Sequence, residues 1–237
     1  MRFFWILFFV PLHNLFAQNT TVSFHFLHAA GKADLYLDSS YTNNQGEKFL
    51  VSQFKYYVSH ISLKDTVTGQ SQNYPNNYFL IREDDPSSKN ISLITHLKQI
   101  HRIDFFVGVD SMKNVSGIQT GSLDPLNGMF WIWNTGYVFA KLEGTSPVAK
   151  TPGKKFSYHV GGYKQNENAL RKISLHTNAH LSNRNFSINI KADILKWFDG
   201  VHTVKISEKP DCHEPGTLAM QLADNFSKMF SVEIAAE

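Results

Sequence analysis

Val22-Ser23-Phe24-His25-Phe26-Leu27 alternates large apolar side chains with small or polar ones. A period of two is the signature of a strand with one buried face. Val22, Phe24 and Phe26 then point to a core, and His25 points the other way. The same texture recurs outward along the chain. Leu35-Tyr36-Leu37 follows a Gly-Lys turn. Phe49 to Leu63 holds one long or two short strands, and Tyr78 to Ile81, Arg102 to Val109, Gly136 to Leu142, Lys155 to Val160, Lys172 to Leu175, Phe186 to Ile190 and Val201 to Ile206 read as further strands. Tyr41–Gly46, 65–77 and 82–90 are polar and read as connections. Asp124-Pro125 resembles a helix start, so a short helix or irregular turn is expected to carry Trp131 and Trp133. Asp193 to Phe198 reads as one helical turn. Residues 217–230 read as the single convincing helix, with Leu218, Leu222, Phe226, Met229 and Phe230 on one face. There is no internal repeat. Many strands joined by polar loops predict an all-β chain with one C-terminal helix, folded as a Greek-key β-sandwich rather than a parallel sheet.

The ends and the composition narrow the class. Residues 3–10, FFWILFFV, follow a single basic residue, and Leu15-Phe16-Ala17 precedes Gln18. That pattern is a secretory signal peptide over 1–17, too short for a span of about 20 residues. The mature chain, 18–237, is expected to be one domain, exported to the periplasm or secreted, with no membrane span. Cys212 is the one cysteine, which rules out an internal disulfide. A formal charge of +3 with scattered basic residues argues against nucleic acid.

Histidines and tryptophans carry what chemistry the sequence shows. Ten histidines follow the leader: His25, His28, His60, His96, His101, His159, His176, His180, His202 and His213. Neutral imidazole suits copper, zinc, nickel or iron. Neither an HExxH helix nor a paired-cysteine motif is present, so a zinc protease or zinc finger is unsupported. His159 stands out because Gly161-Gly162 behind it lets backbone pack closely. His25 enters by its strand position. Trp131 and Trp133 sit two residues apart. Asp104, Asp110, Asp124 and Glu143 flank this region and are candidates to orient a ligand from behind. No pair of acids has a spacing that assigns acid and base roles, and no G-x-S-x-G elbow occurs.

Several of these runs carry a family likeness. Phe106–Asp110, Gly121–Pro125, Met129-Phe130-Trp131-Ile132-Trp133-Asn134-Thr135-Gly136-Tyr137 and Tyr158-His159-Val160-Gly161-Gly162 together resemble the MbnP family of exported copper-binding proteins. Phe54–Ser59 and Phe24-His25-Phe26 fit the same pattern, so the likeness spans roughly 21–206. It implies an immunoglobulin-like β-sandwich that binds one copper ion, as Cu(I), through histidines and kynurenine. Kynurenine is made from tryptophan by a partner dihaem enzyme related to MauG. On this likeness the metal residues are His25 and His159 with Trp131 or Trp133 as the oxidised side chain; His28, His60 and His213 are further candidates. Val115 and Ser59 depart from the methanotroph pattern, which places histidines there.

Two functions follow from different classes. One is a periplasmic copper carrier or store, not an enzyme but the substrate of its dihaem partner. The other is a metal-free secreted sandwich that binds carbohydrate or protein through the tryptophans. An exported hydrolase ranks last for want of a catalytic constellation.

Overall fold

The computed structural model describes residues 19–134 and 136–233. The signal peptide expected over 1–17 lies outside them. In chain order the elements are β1 (Thr20–Ala30), β2 (Ala33–Asp34), β3 (Ser40–Thr42), β4 (Lys48–Lys64), β5 (Ser71–Arg82), β6 (Asn90–Thr95), β7 (Gln99–Val107), α1 (Ser111–Val115), β8 (Phe130–Trp131), β9 (Gly136–Thr145), β10 (Lys155–Gly161), β11 (Arg171–His180), β12 (Asn185–Asp193), β13 (Asp211–Cys212), α2 (Thr217–Phe226) and β14 (Phe230–Glu233). A five-stranded sheet runs β14-β12-β1-β2, with β6 also on β1. A nine-stranded sheet runs β11-β7-β4-β9-β10-β13, with β3 and β5 on β4 and β8 on β9.

The two sheets face each other across an aromatic core, which makes the fold an all-β sandwich. Phe26 of β1 meets Tyr56 of β4 and Phe105 of β7 edge-on, each at 6.3 Å between ring centroids. Phe105 in turn meets Phe230 of β14 at 5.2 Å. Edge-to-face packing places the positive ring edge on the negative face, which adds to the apolar area removed from water. Val22, Phe24 and Phe26 are buried while Ser23 and His25 are not, so the alternation that defines β1 is realised as expected.

Several local expectations are corrected. Leu35–Leu37 is not strand; the pairing with β1 is made by Ala33 and Asp34 instead. Residues 71–77, expected in a connection, extend β5 along β4. Pro75 is accommodated there because β5 pairs on one side only, where a missing N–H costs no ladder bond. β6 emerges directly after the 3-10 turn Pro86–Lys89 and alternates buried and exposed residues. The sheets are mixed: β1 runs parallel to β12 and β10 parallel to β13. Hydrophobic period fixes which face a residue takes, not the direction of its neighbour. Trp131 lies in the two-residue strand β8 rather than a helix, after two 3-10 turns; Asp124 caps the second by accepting from the Leu126 N–H. The expected helix stops at Phe226, and Phe230 belongs to β14.

Val201–Ile206 is irregular, and buried polar side chains explain how. Asn225 of α2 accepts from the N–H groups of Val201 and His202, both at 2.7 Å, and donates to the carbonyls of Trp197 and His202. Glu47 accepts from the N–H groups of Ile206 and Ser207. A backbone satisfied in this way needs no ladder. Asn225→Ala leaves several buried groups without partners, so it is expected to cost roughly 2–4 kcal/mol. A thermal melt checks this; an unchanged midpoint would mean that solvent replaces the amide.

Candidate metal centre

β10 sends Phe156 and Tyr158 into the core and Ser157 and His159 to the outer face of the large sheet. β13 runs parallel beside it, with Tyr158 opposite Cys212. His213, one residue beyond, therefore reaches the His159 ring. The two imidazoles meet edge to face at 4.6 Å between centroids, with their Nδ1 atoms 3.4 Å apart. Glu143 of β9, opposite Ser157 in register, accepts from His159 Nε2 at 2.5 Å. A carboxylate can only accept, so that nitrogen carries the proton and the Nδ1 lone pair faces His213. Ser157 Oγ lies 3.1 Å from the same Nε2, and Asp211 stands 3.9 Å from His213 Nε2.

Electrostatics keep the His159 ring a lone-pair donor. Burial lowers its pKa, with Lys141 and His213 adding to the effect against the pull of Glu143. Glu143 is held below its ordinary range, chiefly by the hydrogen bond from His159. A carboxylate that fixes the tautomer of one imidazole while its other nitrogen is presented outward is the arrangement that orients metal-bound histidines.

The indole of Trp131 rests on Gly161 of β10. A Cβ on Gly161 would stand 2.8 Å from the Trp131 ring, so the glycine forms a cradle under the indole. Gly161 follows His159 by two residues on the same strand. Trp131, Tyr137, Tyr163 and Pro215 line a narrow crevice with room for roughly one water molecule. Pro215 in turn lies two residues past His213, so Gly161 and Pro215 connect the crevice that holds the indole to the strands that carry the imidazoles. Trp131 is 6 % exposed and Trp133 65 % exposed, their rings 5.9 Å apart.

His25 is not brought to this patch. It sits on the outer face of the five-stranded sheet, its Nδ1 2.5 Å from Asn90 Oδ1, on the opposite side of the sandwich from His159. His28 is buried with both nitrogens engaged, Nδ1 to Glu83 at 2.6 Å and Nε2 to the Tyr56 hydroxyl at 3.0 Å. His60 occupies a bulge in β4 at φ 50° and contacts the Pro75 carbonyl and Asp110. Ser59, where the likeness places a histidine, is buried and donates to the Gly108 carbonyl. The Cys212 thiol is buried and pushed up to about 12, so it stays protonated. Among the described residues no group of three or more His, Cys, Asp or Glu side chains meets as a metal cage. The described side chains therefore offer a facing pair of imidazoles, His159 and His213, as donors.

The buried His28 makes a separate expectation. Burial lowers its pKa below 6.5 despite the hydrogen bond it donates to Glu83. The unfolded chain then binds a proton that the folded one resists, so stability is full above pH 6.5 and falls as pH drops below it. Melting midpoints measured from pH 7.5 downward are expected to decline below 6.5, less steeply in His28→Gln. Equal slopes would show that another group carries the effect.

A two-sheet sandwich with a carboxylate-anchored imidazole pair beside a cradled indole defines a β-sandwich with a candidate metal centre. The sequence from 19 to 214 matches the model of the MbnP family, and the chain belongs to that family. Among solved structures it is similar to MbnP from Methylosinus trichosporium, with 14 % identity and a TM-score of 0.63 over 92 % of this chain and 99 % of that one. At that identity the likeness concerns the fold. No curated protein matches the sequence.

Proposed function

We propose that this protein is exported to the periplasm or beyond and carries or stores one copper ion, without turning over a substrate. The observation that supports this most is the facing pair of Nδ1 atoms on His159 and His213, with Glu143 fixing the His159 tautomer. One ion bonded to both nitrogens at about 2.0 Å spans a 3.4 Å separation. Imidazoles without a thiolate or a carboxylate cage suit copper better than a hard cation. On this reading His25 is not a ligand.

Two imidazoles leave room for another donor, and on this reading Trp131, whose indole rests on Gly161 two residues past His159, becomes one. Oxidation to kynurenine opens the indole between C2 and C3 and releases C2 as formate. Two equivalents of peroxide, with a dihaem partner enzyme as catalyst, place one oxygen on each of C2 and C3 and are reduced to water; a further water then hydrolyses the resulting formamide to free the amine and formate. The product carries an aromatic amine and a ketone where indole offers no lone pair. Trp133, exposed and in ring contact with Trp131, is the less suited of the two because it faces solvent, whereas Trp131 is buried against Gly161.

Peptide mass spectrometry of native protein is the test. The peptide bearing Trp131 is expected to have lost one carbon and gained one oxygen, and the protein to retain copper one-to-one after dialysis. Intact tryptophans together with no retained copper would overturn the reading. They would favour a metal-free binding module, to which the exposed Ile132 and Trp133 point. Glu143→Gln keeps the shape but lets the tautomer relax, and copper affinity is expected to fall by roughly 10–100-fold. Competition against a chelator of known affinity measures it.

A further inference from the structure

We propose that Lys141, supported by Lys55, is the specificity-determining residue that biases this centre toward a monovalent ion; the inference rests on the copper reading above.

Cross-strand register puts three groups in one row on the large sheet. His159 of β10 is opposite Lys141 of β9, and Lys141 is opposite Lys55 of β4. Like charges directly opposite one another destabilise a sheet. Both lysines are also only 8 % exposed, so the cost is not fully relieved by solvent. Neither is placed by an ion pair. Lys141 Nζ donates to the Gly128 carbonyl at 2.7 Å, just ahead of Met129-Phe130-Trp131, and so ties the Trp131 segment to the strand facing His159. The Lys55 ammonium makes no hydrogen bond or ion pair with the described residues, and Asp84 is the strongest opposite charge acting on it.

Charge bookkeeping around the imidazoles gives the row its consequence. Glu143 and Asp211 bring two negative charges to His159 and His213. Lys141 and Lys55 bring two positive charges. Lys164 and Glu167, at the far side of the Trp131 crevice, offset each other. Asp84 and Arg82, which both act on Lys55, offset each other, and exposed Glu214 beside His213 adds one negative charge in solvent. The two lysines therefore nearly balance the carboxylates, and a bound ion brings its charge to a partly desolvated place where Coulomb terms are stronger than in water. A second positive charge on the ion meets the partly buried ammonium of Lys141 directly opposite His159, while Glu214 is screened by water. Cuprous ion is favoured over cupric and zinc ions for that reason. Without the lysines the two carboxylates would reverse the preference.

The experiment uses mature protein made in cells that contain the partner enzyme. It compares wild type with Lys141→Met, Lys55→Met and Lys141→Arg. The readouts are the reduction potential of bound copper and competition of cuprous ion with zinc ion. Lys55→Met leaves the bond to Gly128 intact and so reports charge alone, even if Lys141→Met fails to fold. Each methionine variant is expected to shift relative affinity at least about tenfold toward the divalent ion, a fall of about 59 mV for one electron. Lys141→Arg, which keeps the charge, is expected to stay near wild type. Potentials and zinc competition unchanged in Lys55→Met would overturn the inference and leave the copper reading standing. A wild type that holds no copper would instead remove the copper reading itself.

Discussion

Native protein carrying His159→Ala is expected to lose copper by more than about 100-fold, because removing even an outer partner of a metal-bound histidine costs roughly 10–100-fold. The substitution takes away one of the two facing Nδ1 atoms and strips Glu143 of the donor that holds it ionised. The fold should survive. His159 lies on the outer face of β10, while the core beneath is built from Phe156 and Tyr158. His213→Ala is expected to match it in copper loss with still less effect on stability, since His213 is exposed. His25→Ala serves as the control, because His25 stands on the other sheet. Copper retention through dialysis, measured beside a thermal melt, separates loss of the site from loss of the fold. Equal copper loss in His25→Ala would contradict the placement of the centre.

Gly161→Ala is expected to produce the second large effect, on both folding and maturation. The added Cβ would stand 2.4 Å from the Tyr137 carbonyl oxygen and 2.8 Å from the Trp131 ring. Neither distance is tolerable, and the carbonyl cannot swing aside without disturbing the β9–β10 pairing. Overpacking of this kind costs about 1–3 kcal/mol, or roughly 2–12 °C in melting midpoint for a domain of this size. The indole must also leave its cradle beside His159, so Trp131 is expected to remain unoxidised in protein made alongside the partner. Wild-type stability with full oxidation of Trp131 would show that the cradle is not needed.

The parts of this fold legible in the sequence are those set by local period. VSFHFL announces β1 because Phe24 and Phe26 must share a face, and Asp193 and Asp124 mark turns because each caps the backbone that follows. What was illegible is fixed over long range. Nothing local in Val201–Ile206 reveals that Asn225 and Glu47 will take its hydrogen bonds, so it reads as strand. Met229 and Phe230 continue a helical stripe on paper, yet Phe230 gains more by pairing with β12 and packing on Phe105.

The centre divides along the same line. His159 and the two tryptophans stand out from their own surroundings, namely the glycine pair and the aromatic run, whereas Glu143 is one of four acids flanking them with no mark of its own. His213 had no such mark: Cys212-His213-Glu214-Pro215 reads as an ordinary loop. Its role depends on β13 lying parallel to β10, a pairing between segments about fifty residues apart that no local pattern encodes. His25 is the opposite case. Its neighbours fit the family pattern, but the alternation that buries Phe24 and Phe26 also commits it to the far face of the sandwich.

X-ray absorption at the copper edge of native, copper-loaded protein tests the central claim most directly. The expected spectrum shows the outer-shell scattering of two imidazole rings around one copper ion, reduced to one ring in His213→Ala. A spectrum without imidazole scattering, or one unchanged by His213→Ala, would contradict a copper centre built on His159 and His213.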